Sequence, residues 1–132
     1  MVASHLMLDT DILIDLSRQY APALNWLYEI YDTPMPNICG FSAMEFLFGV
    51  SNSDQIRRAR AFLHVFPIIW PSIEAMQRAL NDFTPLHLST GIGIIDSLIA
   101  STALDRDLSV VTFNKRHFDA VPGLRTIQPY ER

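Results

Sequence analysis

A chain of 132 residues, 49% hydrophobic and 18% charged, buries about two thirds of its unfolded surface and falls outside the disordered and low-complexity classes. Apolar runs such as Val65 to Trp70 are far too short to span a bilayer and no signal peptide precedes the first predicted strand, so one cytoplasmic domain over residues 1–132 is expected. A net charge of −4 argues against nucleic-acid binding over the whole surface and leaves room for a local basic groove; the single Cys39 admits no internal disulfide.

The first apolar run, His5 to Leu8, has no polar residue alternating through it, which suits a strand buried on both faces of a parallel sheet. Asp9 then stands at its carboxyl end, where open α/β sheets place ligands and catalytic groups. Asp11 is expected to cap a helix from Ile12 to about Arg18. Pro22 opens a helix over Ala23 to Tyr31, and Pro34 and Pro36 separate it from a second strand, Asn37 to Phe41. Ser42 and Glu45 have the spacing of a capping box on a helix that stops at Gly49, so Glu45 has a structural reading as well as a chemical one. Ser53 or Asp54 caps a helix from Gln55 to His64. Arg57, Arg60 and His64 share one stripe of it, by default a solvated face.

Phe66 to Trp70 reads as a third strand, placed at a sheet edge by Pro67. A helix from Ser72 to Phe83 follows, then a loop from Leu86 to Ile94. Ile95 to Asp105 has the clearest helical spacing, with Asp96 in its first turn. Leu108 to Thr112 is a β-branched fourth strand, Phe113 to Gly123 a loop, and Leu124 to Gln128 a last strand. This alternation predicts an α/β fold: a three-layer α/β/α sandwich around a five-stranded, mostly parallel sheet.

Asp9, Glu45 and Asp96 therefore share one structural address, the edge of the sheet where strands end and helices begin. Two carboxylates about 4 Å apart repel by roughly 4 kcal/mol at an effective dielectric near 20, and a bound cation removes that repulsion. Oxygen ligands without a His or Cys set select Mg²⁺ or Mn²⁺ over zinc. Thr10, Ser42 and Thr112 supply hydroxyls beside the acids, as supporting donors or phosphate contacts.

Four stretches, Leu8-Asp9-Thr10-Asp11-Ile12-Leu13-Ile14-Asp15, Ser42-x-x-Glu45-x-x-x-Gly49, Asp96 to Ala103 and Val111 to Phe118, together resemble a PIN-domain ribonuclease of the VapC toxin type. The order and spacing match along nearly the whole chain. The resemblance implies a PIN-like fold and metal-dependent cleavage of RNA, with Asp9, Glu45 and Asp96 as metal-binding and catalytic acids. It also implies a homodimer neutralised by a VapB-type antitoxin, with no membrane association. The chain departs from the pattern after the fourth strand, where Asn114 stands in place of a frequent fourth acid, keeping an oxygen and no charge. Lys115 and His117 in the same loop are candidates for phosphate contact. The stripe of Arg57, Arg60 and His64, with Lys115 and Arg116, is expected to guide an RNA strand. Two other readings compete: a phosphoacceptor receiver built on Asp9, Asp11, Thr112 and Lys115, and an inactive PIN-like binding scaffold.

Overall fold

Leu6, Met7 and Leu8 are fully or almost fully buried and form β1 (Leu6–Leu8), the central strand of a five-stranded parallel sheet in the computed structural model, which describes residues 2–132. Met1, the first residue of the expected domain, lies outside the described residues. β1 pairs on one side with β2 (Asn37–Cys39) and on the other with β4 (Ser109–Val111). β3 (Ile68–Ile69) adds to β2 and β5 (Thr126–Ile127) to β4, giving the order β3-β2-β1-β4-β5. Every pairing is parallel, in line with the parallel or mostly parallel sheet expected. The proline-bearing strand does lie at an edge: Pro67 uses its carbonyl to accept from Ile38 N–H at 2.9 Å and needs no amide of its own.

Alternate strand residues point to opposite faces, and two cores result. Leu6, Leu8, Ile38 and Val111 pack against α1 (Thr10–Ser17), α2 (Ala21–Ile30) and parts of α3 (Gly40–Phe48) and α4 (Ser53–Leu63). Met7, Cys39 and Val110 pack with Ala79, Phe83 and the buried stripe Ile99, Ala100 and Ala103 of α7 (Ile94–Arg106). The third layer also holds α5 (Ile73–Arg78), started by the expected Ser72 cap, whose Oγ accepts from Ala75 N–H at 3.0 Å, and a wide π turn, Ala79–Phe83.

Leu86 to Ile94, expected as a loop, is helical in its first half, where α6 (Thr84–Thr90) runs into it. Pro85 sits in its first turn, where no amide is required, and Gly91 ends it in the left-handed region at φ 84°. No residue of α6 is buried, so it carries none of the apolar periodicity by which helices are recognised. The loop after β4 likewise contains the short α8 (Lys115–Phe118).

β2 ends sooner than the sequence suggests, because the chain turns helical at Gly40. A Cβ there would stand 2.3 Å from the Trp70 ring, which packs edge-on against Phe41. Gly40→Ala should therefore push the indole outward and cost about 1–3 kcal/mol by overpacking. In a Trp70→Ala background the same change should be neutral or stabilising, since alanine is the better helix former. Chemical denaturation of the four-variant cycle checks this, and equal costs in both backgrounds would refute it.

Candidate active site

The strand order reverses between β1 and β4, and ligands of open parallel sheets bind at the carboxyl side of such a switch point. Asp9 leaves β1 there, its N–H donating to Val111 O at 2.9 Å, and only 4% of its surface is exposed. Asp9, not Asp11, is the N-cap of α1: its Oδ1 accepts from Thr10 N–H at 2.7 Å. Its Oδ2 accepts from Thr112 Oγ1–H, also at 2.7 Å, and Thr112 Oγ1 in turn accepts from Asn114 N–H at 2.9 Å. The end of β4 thus positions the acid at the end of β1. These bonds favour the charged form, yet burial, aided by the nearby charges of Asp11 and Asp96, pushes the Asp9 carboxyl up to about 7.

Asp11 lies in the first turn of α1, and its Oδ2 accepts from Phe113 N–H at 3.0 Å while its buried Oδ1 has no partner. Burial raises its pKa as well. Asp15, one turn further along α1, is engaged by the C-terminus, accepting from Tyr130 O–H at 2.7 Å and pairing with Arg132 at 3.0 Å. It is not among the residues of the acid cleft.

Glu45 and Asp96 face the same cleft of about 480 Å³ as Asp9, Asp11 and Asn114. Glu45 is an exposed residue in the second turn of α3. The capping box is not formed: Cys39 is the N-cap, and Ser42 stands inside the first turn, completely buried, with its hydroxyl unpartnered. Asp96 belongs to the first turn of α7, and His117 Nδ1–H donates to its Oδ2 at 2.9 Å. His117 is thus brought to an acid. Lys115 is not: its Nζ donates to Thr126 Oγ1 at 3.1 Å, on the β5 side. Thr10 is buried with its hydroxyl unpartnered.

The expected guiding stripe does not reach the cleft either. Arg57 pairs with Asp54 on the surface, and Arg60 and His64 line a separate cavity beside β3. Arg18, which ends α1, lines the acid cleft instead. Its position was hidden because helix phase alone does not reveal where a helix end meets another element.

Among the described residues no three His, Cys, Asp or Glu side chains converge closely enough to make a ready-made metal centre. The donor chemistry nonetheless fits a hard divalent cation: the cleft offers carboxylate oxygens, one of them buried and unpartnered, and Asp9 lacks a positive neighbour. Mg²⁺ retains several waters and needs only one or two carboxylates.

A parallel sheet with carboxylates gathered at its switch point defines an acid-cleft α/β fold. The chain belongs to the PIN domain family, which matches residues 6–124. It is 28% identical to Ribonuclease VapC1 of Rickettsia felis, over 92% of this chain and 94% of that protein. Among solved structures it is similar to a toxin-antitoxin complex from Klebsiella pneumoniae, with TM-score 0.76 and 30% identity over 96% of this chain and 99% of that one. It is also similar to VapBC2 from Rickettsia felis bound to a DNA fragment from their promoter, with TM-score 0.75 and 26% identity over 92% and 96% of the two chains. The receiver reading is excluded by topology: receivers have the order 2-1-3-4-5, whereas β1 here lies between β2 and β4.

Two predictions follow from the local geometry. A capping serine replaced by alanine costs about 1 kcal/mol, but Ser42 makes no such bond, so Ser42→Ala should leave the melting temperature unchanged or raise it. The second concerns pH. Native Asp9 keeps its proton up to about 7 while the unfolded chain releases it near 3.8, so the native state binds more protons between those values and metal-free stability falls as pH rises through that window. Above it the slope flattens. In EDTA, Asp9→Asn should lose this slope and melt higher than wild type at pH 8, and an unaltered pH profile would overturn the assignment.

Proposed function

We propose that this chain is a VapC-type endoribonuclease that hydrolyses RNA phosphodiesters with Mg²⁺ or Mn²⁺ and is neutralised by a VapB-type antitoxin. The observation that carries the reading is the Asp9 carboxyl, buried at the switch point with a raised pKa and sharing one cleft with Asp11, Glu45 and Asp96. Proteins spend stability on such a cluster where function needs it. Support comes from the family match and from similar proteins named as a ribonuclease and as toxin-antitoxin complexes. Metal dependence is general among nucleases of this family.

Asp9, Asp96 and Glu45 would hold the cation. When bound it offsets the carboxylate repulsion and supplies Lewis-acid chemistry to a phosphoryl oxygen and a water. The protein's own groups prepare the site. Thr10 N–H and Thr112 O–H fix both oxygens of Asp9, and His117 fixes one oxygen of Asp96. Glu45, exposed on the cleft wall, would be the α3 ligand of that cation and orient the attacking water. Asn114 lines the cleft as a neutral polar group where a fourth acid would add repulsion. A cytoplasmic homodimer is the assembly we propose, and no helix of the described residues is long and apolar enough to cross a membrane.

Millimolar Mn²⁺ should raise the melting temperature, by the increment RT ln(1 + [L]/Kd) in stability. Asp96→Asn should abolish cleavage of single-stranded RNA without unfolding the protein. Glu45→Gln should lower cleavage at least about tenfold, roughly 1.4 kcal/mol of transition-state stabilisation, with an unchanged melting temperature. Full activity in Asp96→Asn, or Glu45→Gln within about twofold of wild type, would remove the proposed centre.

A further inference from the structure

The acid cleft opens into a second cavity of about 710 Å³, and Ser17, Arg18, Phe46 and Val50 line both. The two form one groove with opposite electrical ends. Its far wall is one face of α4: Gln55, Arg58, Ala59 and Phe62 recur at the spacing that stacks side chains on a single helix side. Arg57 and Arg60 fall off this face, which is why the charged stripe expected from the sequence lies elsewhere. The near wall is the end of α1. There Tyr20 N–H donates to Asp15 O at 3.1 Å and Gln19 N–H to Leu16 O at 3.0 Å, closing the helix with Gln19 in the left-handed region at φ 57°. Such a conformation is unfavourable for a side chain as large as glutamine, and it holds Arg18 at the mouth between the two cavities.

We infer that this second cavity is a nucleotide subsite, holding the residue of a single-stranded RNA that flanks the scissile phosphate, with Arg18 and Arg58 on its phosphate and Phe46 and Phe62 against its base. The inference rests on the ribonuclease reading of the neighbouring cleft. Among the described residues neither Arg18 nor Arg58 has a side-chain hydrogen bond or ion pair; Arg60, Arg106 and Arg116 are likewise unpaired, but only Arg18 and Arg58 line this groove together. Two guanidiniums without anions face one groove, and a phosphodiester is the anion whose planar, bidentate recognition they suit. Phe46 and Phe62, with ring centroids 5.5 Å apart at an interplanar angle of 40°, supply aromatic surface of the kind on which unpaired bases stack. Gln55 uses its Oε1 to accept from Ser51 N–H at 2.7 Å, leaving its amide hydrogens for a base edge. Continuity with the acids decides between occupants. A polyanion entering a cleft of carboxylates is repelled, and cations one nucleotide away compensate for that.

The test measures anisotropy of a fluorescein-labelled single-stranded RNA of mixed sequence with the full-length protein in Ca²⁺, alongside cleavage in Mn²⁺. Arg18→Glu and Arg58→Glu should each weaken binding at least about tenfold and flatten the dependence of log Kd on log salt by about 0.7 per lost phosphate contact. Arg58→Lys should recover most of the affinity, and Arg57→Glu should bind like wild type. Unchanged affinity and salt slope in both groove variants of a protein that cleaves RNA would overturn the subsite and leave the ribonuclease reading intact. Arginine-dependent binding without cleavage would do the reverse. A wild-type protein that binds no RNA overturns both. Poly-glutamate of matched charge should displace the RNA poorly; displacement as strong as by unlabelled RNA would make the groove a peptide site instead.

Discussion

Burying a carboxylate without a counter-ion is costly, and in this fold the cost falls at the geometric centre of the sheet. Asp9 stands where β1 ends between β2 and β4, and no neighbouring cation offsets its charge. What holds it is a set of neutral donors, the Thr10 amide and the Thr112 hydroxyl, each at 2.7 Å. Those donors exist only because β1 and β4 are adjacent and in register, Leu8 beside Val111. The apolar alternation that buries Leu6 and Leu8 on one face and Met7 on the other therefore fixes the register that makes the acid tenable.

Each helix that enters the cleft does so for a local reason. α1 begins at Asp9 itself, so the strand-ending residue is also the cap. α3 begins at Gly40, where the Trp70 ring leaves no room for a side chain, and this early start carries Glu45 into the second turn. α7 begins at Ile94 and brings Asp96 in its first turn, near the positive end of the helix dipole. The carboxylates share one cleft because three helices begin beside it.

The sheet, its two cores and the positions of Asp9 and Asp96 were legible in the sequence because each rests on a strong local signal: an unbroken apolar strand, a small-residue helix stripe, a β-branched run. Features set by tertiary contact were not. Ser42 and Glu45 have capping-box spacing, yet the N-cap is Cys39, three residues earlier, and the helix begins at Gly40, packed under the Trp70 ring. α6 buries no residue fully and has no period to read. Lys115 and His117 are two residues apart in one short helix, but one side chain turns to Thr126 and the other to Asp96. On α4 the arginines at 57, 58 and 60 are indistinguishable by type. Only the packing of the helix shows that Arg58 shares a groove with the acids.

An acidic chain that handles a polyanion must separate its charges in space, and the groove does this over the length of a few side chains. At one end Asp9, Asp11, Glu45 and Asp96 make a cleft that repels phosphate; Arg18 stands at the mouth between the two cavities and Arg58 in the far one, and among the described residues neither pairs with a carboxylate. A net charge of −4 gives the surface as a whole no general attraction for nucleic acid, so on the proposed reading an RNA gains most where both ends are engaged at once. On the proposed reading, recognition and metal loading are coupled. Binding at the basic end brings a phosphate toward the acids, and the cation that neutralises the acids removes the repulsion opposing that phosphate. The raised Asp9 pKa belongs to the same balance, since a carboxyl that keeps its proton in the absence of a cation keeps the empty cleft from accumulating charge it cannot support.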